Sequence, residues 1–185
     1  MAEAQQTSNP IRLYMLALDI KKALDQALKK NPNDTEVLLD LVRFHAVTPK
    51  IAGGDPAAAQ AFAKKLATLD AGLGHFATGY LAYREKQFGI ARRELNEAVK
   101  QTTGAHRTLA LQWLGWLSQE SQQYDDAFAA WEQLRASDPK ALYEIARTST
   151  FCHCQTARGK AALDEYLKLR PRDEDARKLI ETFSR

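Results

Sequence analysis

The chain has 185 residues and a near-balanced charge, 26 Lys and Arg against 23 Asp and Glu, net +3. That length suffices for one domain with a sizeable core, and 45% hydrophobic with 26% charged residues is ordinary for a globular protein. The balance argues against nucleic acid as partner, because no stretch joins a basic run to aromatics at base-stacking spacing, and no apolar run reaches the ~18 residues of a membrane-spanning helix.

Residues 1–8 are small and polar and read as a flexible tail ahead of one helical domain over 9–185. The opening MAEAQQTSNP has neither the basic segment nor the apolar run of a signal peptide. Cytoplasmic placement follows as written; periplasmic placement stays open if Met1 begins a mature exported chain. Asn9-Pro10 starts a helix, with Asn as N-cap and Pro at the first helical position. Leu13, Leu16, Ile20, Leu24, Ala27 and Leu28 then recur at helical spacing as far as Asn31-Pro32. Asp34 caps a helix from Thr35 to about Val47, with Leu38, Leu41 and Phe44 on its apolar face. In the TPKIAGGDP segment that follows, two prolines and Gly53-Gly54 forbid a continued helix. Gly-Gly-Asp at a helix start could bind an anion, but without a phosphate-loop arrangement a turn and an N-cap is the stronger reading. Asp55-Pro56 opens the next helix, which runs to Asp70 with Ala59, Ala63 and Leu66 inward.

Two helical hairpins follow in one register. In 72–104, Gly79 precedes Ala91 by 12 residues; in 108–139, Gly115 precedes Ala127 by the same interval, and Pro139 closes the unit. Phe88 matches Tyr124, Leu95 matches Trp131, and Ala98 matches Leu134. Lys140 to about His153 and Gly159 to Leu169 form a weaker pair closed by Pro171, and Asp173 to Phe183 is a last helix with a charged outer face. Ala59, Ala91, Ala127 and Gly159 are spaced 32, 36 and 32 residues apart. Alanine-rich amphipathic stretches dominate, so the fold class is all-α.

The sequence from Leu111 to Pro139 resembles the tetratricopeptide repeat (TPR), whose pattern is a large residue, Leu-Gly, a Tyr-like position, Ala, an aromatic and a closing Pro. Leu111 fills the large position and Ser118 departs from the Tyr-like one. The PKIAGGD turn before an Ala-rich helix is similar to stand-alone bacterial TPR proteins. The resemblance implies a solenoid of about five antiparallel helix pairs with a C-terminal capping helix. It implies a protein-binding scaffold rather than an enzyme, with the first helix of each pair lining a groove for a peptide or partner helix.

On that resemblance the binding residues are Phe76, Tyr80, Tyr83 and Arg84 in the third pair. Gln112, Trp113, Trp116 and Gln119 follow in the fourth, and Tyr143 and Arg147 in the fifth. Aromatics and Arg are the types that dominate binding hot spots; packing between neighbouring helices is the competing reading for each aromatic. The carboxylate clamp of chaperone-binding TPRs is not expected, because the positions around Gly115 lack its Asn. Cys152-His153-Cys154 raises metal or disulfide chemistry. On a helix, residues two apart point to nearly opposite faces, so the sulfurs converge only where the helix has ended. Thr148, Ser149 and Thr150 allow that, yet His45, His75 and His106 supply no further ligand spacing. Inert thiols are therefore the expectation, and no cofactor or metal is assigned. Asp125-Asp126, Glu94 and Glu97 read as solvated charges rather than a catalytic pair. Rival functions are a small ligand held in an apolar pocket, an enzyme resting on the Cys-His-Cys stretch, and self-association.

Overall fold

The structure, a computed structural model, describes residues 9–183. The reading of residues 1–8 as a flexible tail lies outside them. Among the described residues there are ten α-helices, one 3-10 turn (Lys50–Ala52) and no strand. The helices are α1 Pro10–Lys30, α2 Thr35–Val47, α3 Pro56–Leu69, α4 Ala71–Arg84, α5 Phe88–Gln101, α6 Gly104–Glu120, α7 Tyr124–Leu134, α8 Lys140–Cys152, α9 Thr156–Leu169 and α10 Glu174–Thr182. Contacts divide the chain into two compact units, Met1–Thr102 and Thr103–Arg185.

In the first unit α2 pairs with α3 and α4 with α5, α3 packs on α4, and α1 lies against α2. The starts are set locally. Asn9, Asp34, Asp55 and Asp70 each accept a backbone N–H of the following turn, at 2.9–3.4 Å, which satisfies donors that a helix start leaves unpaired. Leu38, Leu41, Leu66, Leu73, Phe76 and Leu95 form the core, each almost wholly buried. Between α2 and α3 the chain reverses at Gly53, in the left-handed region at φ 91°, while a Cβ on Gly54 would collide with the Thr48 carbonyl. The Gly-Gly pair is thus required by the turn. The helix α1 is the exception to the packing. None of its residues is buried, and Ile11 and Met15 are 70% and 60% exposed.

In the second unit α6 pairs with α7 and α8 with α9, α7 packs on α8, and α10 rests on α8 and α9. Trp131, Phe128, Leu111, Leu117, Leu134 and Leu142 form its core. The α4–α5 and α6–α7 pairs repeat their turns as well as their sequence. Lys86 and Gln122 both adopt φ near +58°, and the next N–H closes back on Ala82 and Ser118 carbonyls at 2.9 and 2.8 Å, a Schellman-type end. Ser118, in the Tyr-like position, is fully buried with no hydrogen-bond partner for its Oγ. Helices α6 and α9 begin a few residues earlier than their apolar periodicity suggested, because Thr103 and Gln155 are where the backbone leaves helical geometry.

The last helix is fastened by one acid. Asp173 Oδ1 accepts the Ala176 N–H at 3.0 Å, and its Oδ2 accepts the Tyr166 hydroxyl at 2.7 Å. Burial first, and donation to that carboxylate second, push the Tyr166 phenol up to about 12. A raised folded-state pKa means stability present below the unfolded value, near 10, and lost as pH climbs through 12. We expect the helical signal to fall between pH 10 and 12 in the native chain and to lose most of that dependence in Tyr166→Phe. Circular dichroism against pH, read beside the tyrosinate absorbance, checks this. An unchanged profile in Tyr166→Phe would assign the loss elsewhere.

Candidate partner-binding surface

Helix α6 turns Leu111, Leu114 and Leu117 into the core. The remaining face carries Gln112, Trp113, Trp116 and Gln119, all half-buried. Trp113 and Trp116 meet edge to face at 5.5 Å, and Trp116 reaches the core Trp131 at 6.1 Å. The two glutamines act as ties. Gln112 Nε2 donates to Asp138 in the turn before α8, at 2.9 Å, and Gln119 Nε2 donates to Thr148 Oγ1 on α8, at 2.6 Å. These bonds hold α6 beside α8 within the second unit.

On α8, Tyr143, Arg147 and Phe151 follow one another at intervals of four, one face of a helix. The Arg147 guanidinium lies 5.8 Å from the Tyr143 ring and 5.3 Å from the Phe151 ring. It also donates to both carboxylate oxygens of Glu144, at 3.1 and 2.9 Å. Glu144 is 3% exposed, so the pair fixes a half-exposed cation over a buried anion between two aromatics. Burial pushes the Tyr143 phenol up, against the opposing pull of Arg147. Phe151 is 51% exposed and was not among the sequence candidates. Its spacing of four from Arg147 was the signal that could have found it.

In the first unit the four candidates separate. Phe76 and Tyr80 are 1% and 4% exposed and stack on each other at 6.4 Å. They are core residues, because α4 packs against α2, α3 and α5 and has little free face. Tyr83 is half-buried against Phe88 at 6.2 Å, and Arg84 is exposed. Glu94 is less solvated than its place on α5 suggested. Burial alone would raise its carboxyl, but hydrogen bonds from His75 at 2.8 Å and Arg93 outweigh that and hold it below the usual range. An apolar cleft of about 310 Å³ also lies in this unit, between Leu13, Leu16 and Ile20 of α1 and Phe44 and Val47 of α2.

The cysteines depart from the expectation of inert thiols. Cys152 and Cys154 form a disulfide, with Cα atoms 5.1 Å apart. Helix α8 ends at Cys152, and His153 takes a left-handed conformation at φ 50°, so the opposed directions of a continuing helix no longer apply.

No protein-family model and no curated protein sequence matches the chain. Solved structures do. A crystal structure of PilW, described as a widely conserved type IV pilus biogenesis factor, matches with a TM-score of 0.68 and 17% identity over 94% of this chain and 80% of that one. A crystal structure of the MamA protein matches at 0.56 and 20%, over 91% and 92%. The Cut9–Hcn1 structure of APC/C matches at 0.63 and 20%, over 89% of this chain and 34% of that one. All three are TPR proteins. This chain has the TPR fold.

The repeat positions then acquire physical meaning. A Cβ at Gly115 would lie 2.6 Å from Cε2 of Trp131, and one at Gly79 would lie 2.9 Å from Cγ of Leu95. The glycine of each TPR pair is where the second helix's large residue presses on the first helix's backbone. Both α6 and α8 are first helices of their pairs; Trp113 and Trp116 lie on the one, Tyr143 and Arg147 on the other. Among the described residues no helix is long and apolar enough to cross a membrane.

Proposed function

We propose that this chain is a protein-interaction scaffold that binds a peptide or partner helix on the α6–α8 face of its second unit. The observation that carries the reading is Arg147, held between Tyr143 and Phe151 over buried Glu144. Such a group is already ordered before a partner arrives, so binding loses little side-chain entropy. Arg and aromatic residues at a semi-buried centre are what dominate hot spots. Trp113 and Trp116 extend the apolar part of the surface, and Gln112 and Gln119 position it through their ties to Asp138 and Thr148. Tyr83 and Arg84 offer a smaller surface on the first unit; Phe76 and Tyr80 support it from the core.

The test pairs wild type with Trp113→Ala/Phe151→Ala in an affinity pull-down from the source organism's lysate, after circular dichroism shows both folded. Neither side chain is fully buried, so the fold should survive. Two hot-spot truncations of about 1–2 kcal/mol each should cut recovery of a specific partner more than tenfold. Equal recovery of the same protein by both would remove the α6–α8 face as its binding surface.

A further inference from the structure

The Cys152–Cys154 disulfide is built unlike a structural staple. It bridges a single residue, and the stabilisation a disulfide draws from restricting the unfolded chain grows with loop length. Here that contribution is near its minimum. The bridge spans a helix end. His153, at φ 50°, is the left-handed end of α8, as Lys86 and Gln122 are of α4 and α6, and the Cys154 N–H closes back on the Ser149 carbonyl at 3.3 Å. The frame is held by side chains as well. Ser149, 2% exposed, donates its Oγ to the Cys154 carbonyl at 2.6 Å, and a Cβ on Gly159 of α9 would lie 2.6 Å from that same Oγ.

The two sulfurs have different surroundings. Cys154 lines an open cleft of about 430 Å³ with Gln122, Gln123, Tyr124, Asp125 and Asp126. Cys152 Sγ lies 3.6 Å from the carbonyl oxygens of both Ser149 and Cys154. A disulfide sulfur has no hydrogen to give them. Once the two sulfurs have moved apart on reduction, a thiol at Cys152 has an acceptor carbonyl close by on either side.

We propose that Cys152–Cys154 is a thiol–disulfide exchange site that accepts two electrons from a dithiol. A thiolate of the dithiol enters the cleft and attacks Cys154 Sγ. The Cys152–Cys154 bond breaks, its electron pair goes to Cys152 Sγ, and that sulfur takes up a proton and can donate it to one of the two carbonyls. The dithiol's second thiolate then attacks its own sulfur in the mixed disulfide and expels Cys154 as a thiolate, which is protonated in turn. The dithiol ends as a disulfide and the pair ends as two thiols, with two electrons and two protons transferred. Asp125 and Asp126 at the cleft select against anionic thiols, so the dithiol is uncharged or set in a basic protein surface.

Dithiothreitol is the probe. Its rate of reduction of the native chain, followed by alkylation and intact mass, should fall within about tenfold of the rate for the chain unfolded in guanidinium. The single variants assign the sulfurs. Cys152→Ser, which leaves Cys154, should form a mixed disulfide with an aromatic disulfide at least about tenfold faster than Cys154→Ser, which leaves Cys152. Asp125→Asn/Asp126→Asn should speed anionic glutathione more than dithiothreitol. A native disulfide that yields only after unfolding would overturn the proposal without any variant. Equal reactivity of the two single variants, each folded by circular dichroism, would overturn the assignment of Cys154 as the attacked sulfur.

Discussion

Trp131→Ala should lower the stability of the second unit by about 4 kcal/mol, the range seen when a large aromatic is deleted from a packed core. Trp131 is 1% exposed and fills the space against Gly115 of α6, whose backbone has no side chain of its own there. Its edge also supports Trp116 of the proposed surface. Alanine would leave a cavity between α6 and α7 that neither helix can collapse into, because each is held by its other contacts. Trp131→Phe is the informative control. The indole Nε1 is buried with no hydrogen-bond partner, so phenylalanine loses area but no hydrogen bond, and the cost should stay under about 2 kcal/mol. Guanidinium unfolding followed by circular dichroism gives both values. A loss under about 1 kcal/mol for Trp131→Ala would mean that the aromatic position is not what organises this pair.

Gly74→Val is the second large effect, in the first unit. A Cβ at Gly74 would lie 3.0 Å from the backbone nitrogen of Ala67 on α3 and closer still to its Cα and Cβ. The obstacle is backbone rather than the far end of a flexible side chain. Helices α3 and α4 must move apart, and the buried Leu66 and Leu73 beside the crossing lose contact. Overpacking of this kind costs about 3 kcal/mol. Gly89, in α5, has nothing within 4 Å of its would-be Cβ, so Gly89→Ala should instead stabilise slightly, by about 0.5 kcal/mol. Opposite signs at two helical glycines would confirm close approach as the cause. A Gly74→Val chain as stable as wild type would show that α3 and α4 can separate freely.

The proposed surface runs along α8 and the proposed exchange site sits at its C-terminal end, and they ask different things of it. The surface depends on Arg147 being held in place by Glu144. The exchange site depends on the helix stopping at Cys152. Neither requirement is visible in composition.

Helix starts were legible because capping is local. Asn9-Pro10, Asp34, Asp55-Pro56 and Asp173 satisfy N–H groups two or three residues away, whatever the rest of the chain does. The repeat was legible because Gly79 with Ala91 and Leu95, and Gly115 with Ala127 and Trp131, answer the same steric demand at the same interval. The sequence by itself therefore determined an all-helical chain of paired, closely packed helices. Tertiary structure alone decided the rest. Tyr80 and Trp113 look alike as aromatics on first helices, but α4 is enclosed by three neighbours and buries Tyr80, while Trp113 is only half-buried. Gly74 resembles any helical glycine until α3 crosses it. Cys152 and Cys154 could be joined because α8 stops and the backbone turns left-handed at His153, beside the place where α9 packs Gly159 against Ser149. Burial, crossing distance and the stopping point of a helix depend on residues remote in sequence, which no local pattern encodes.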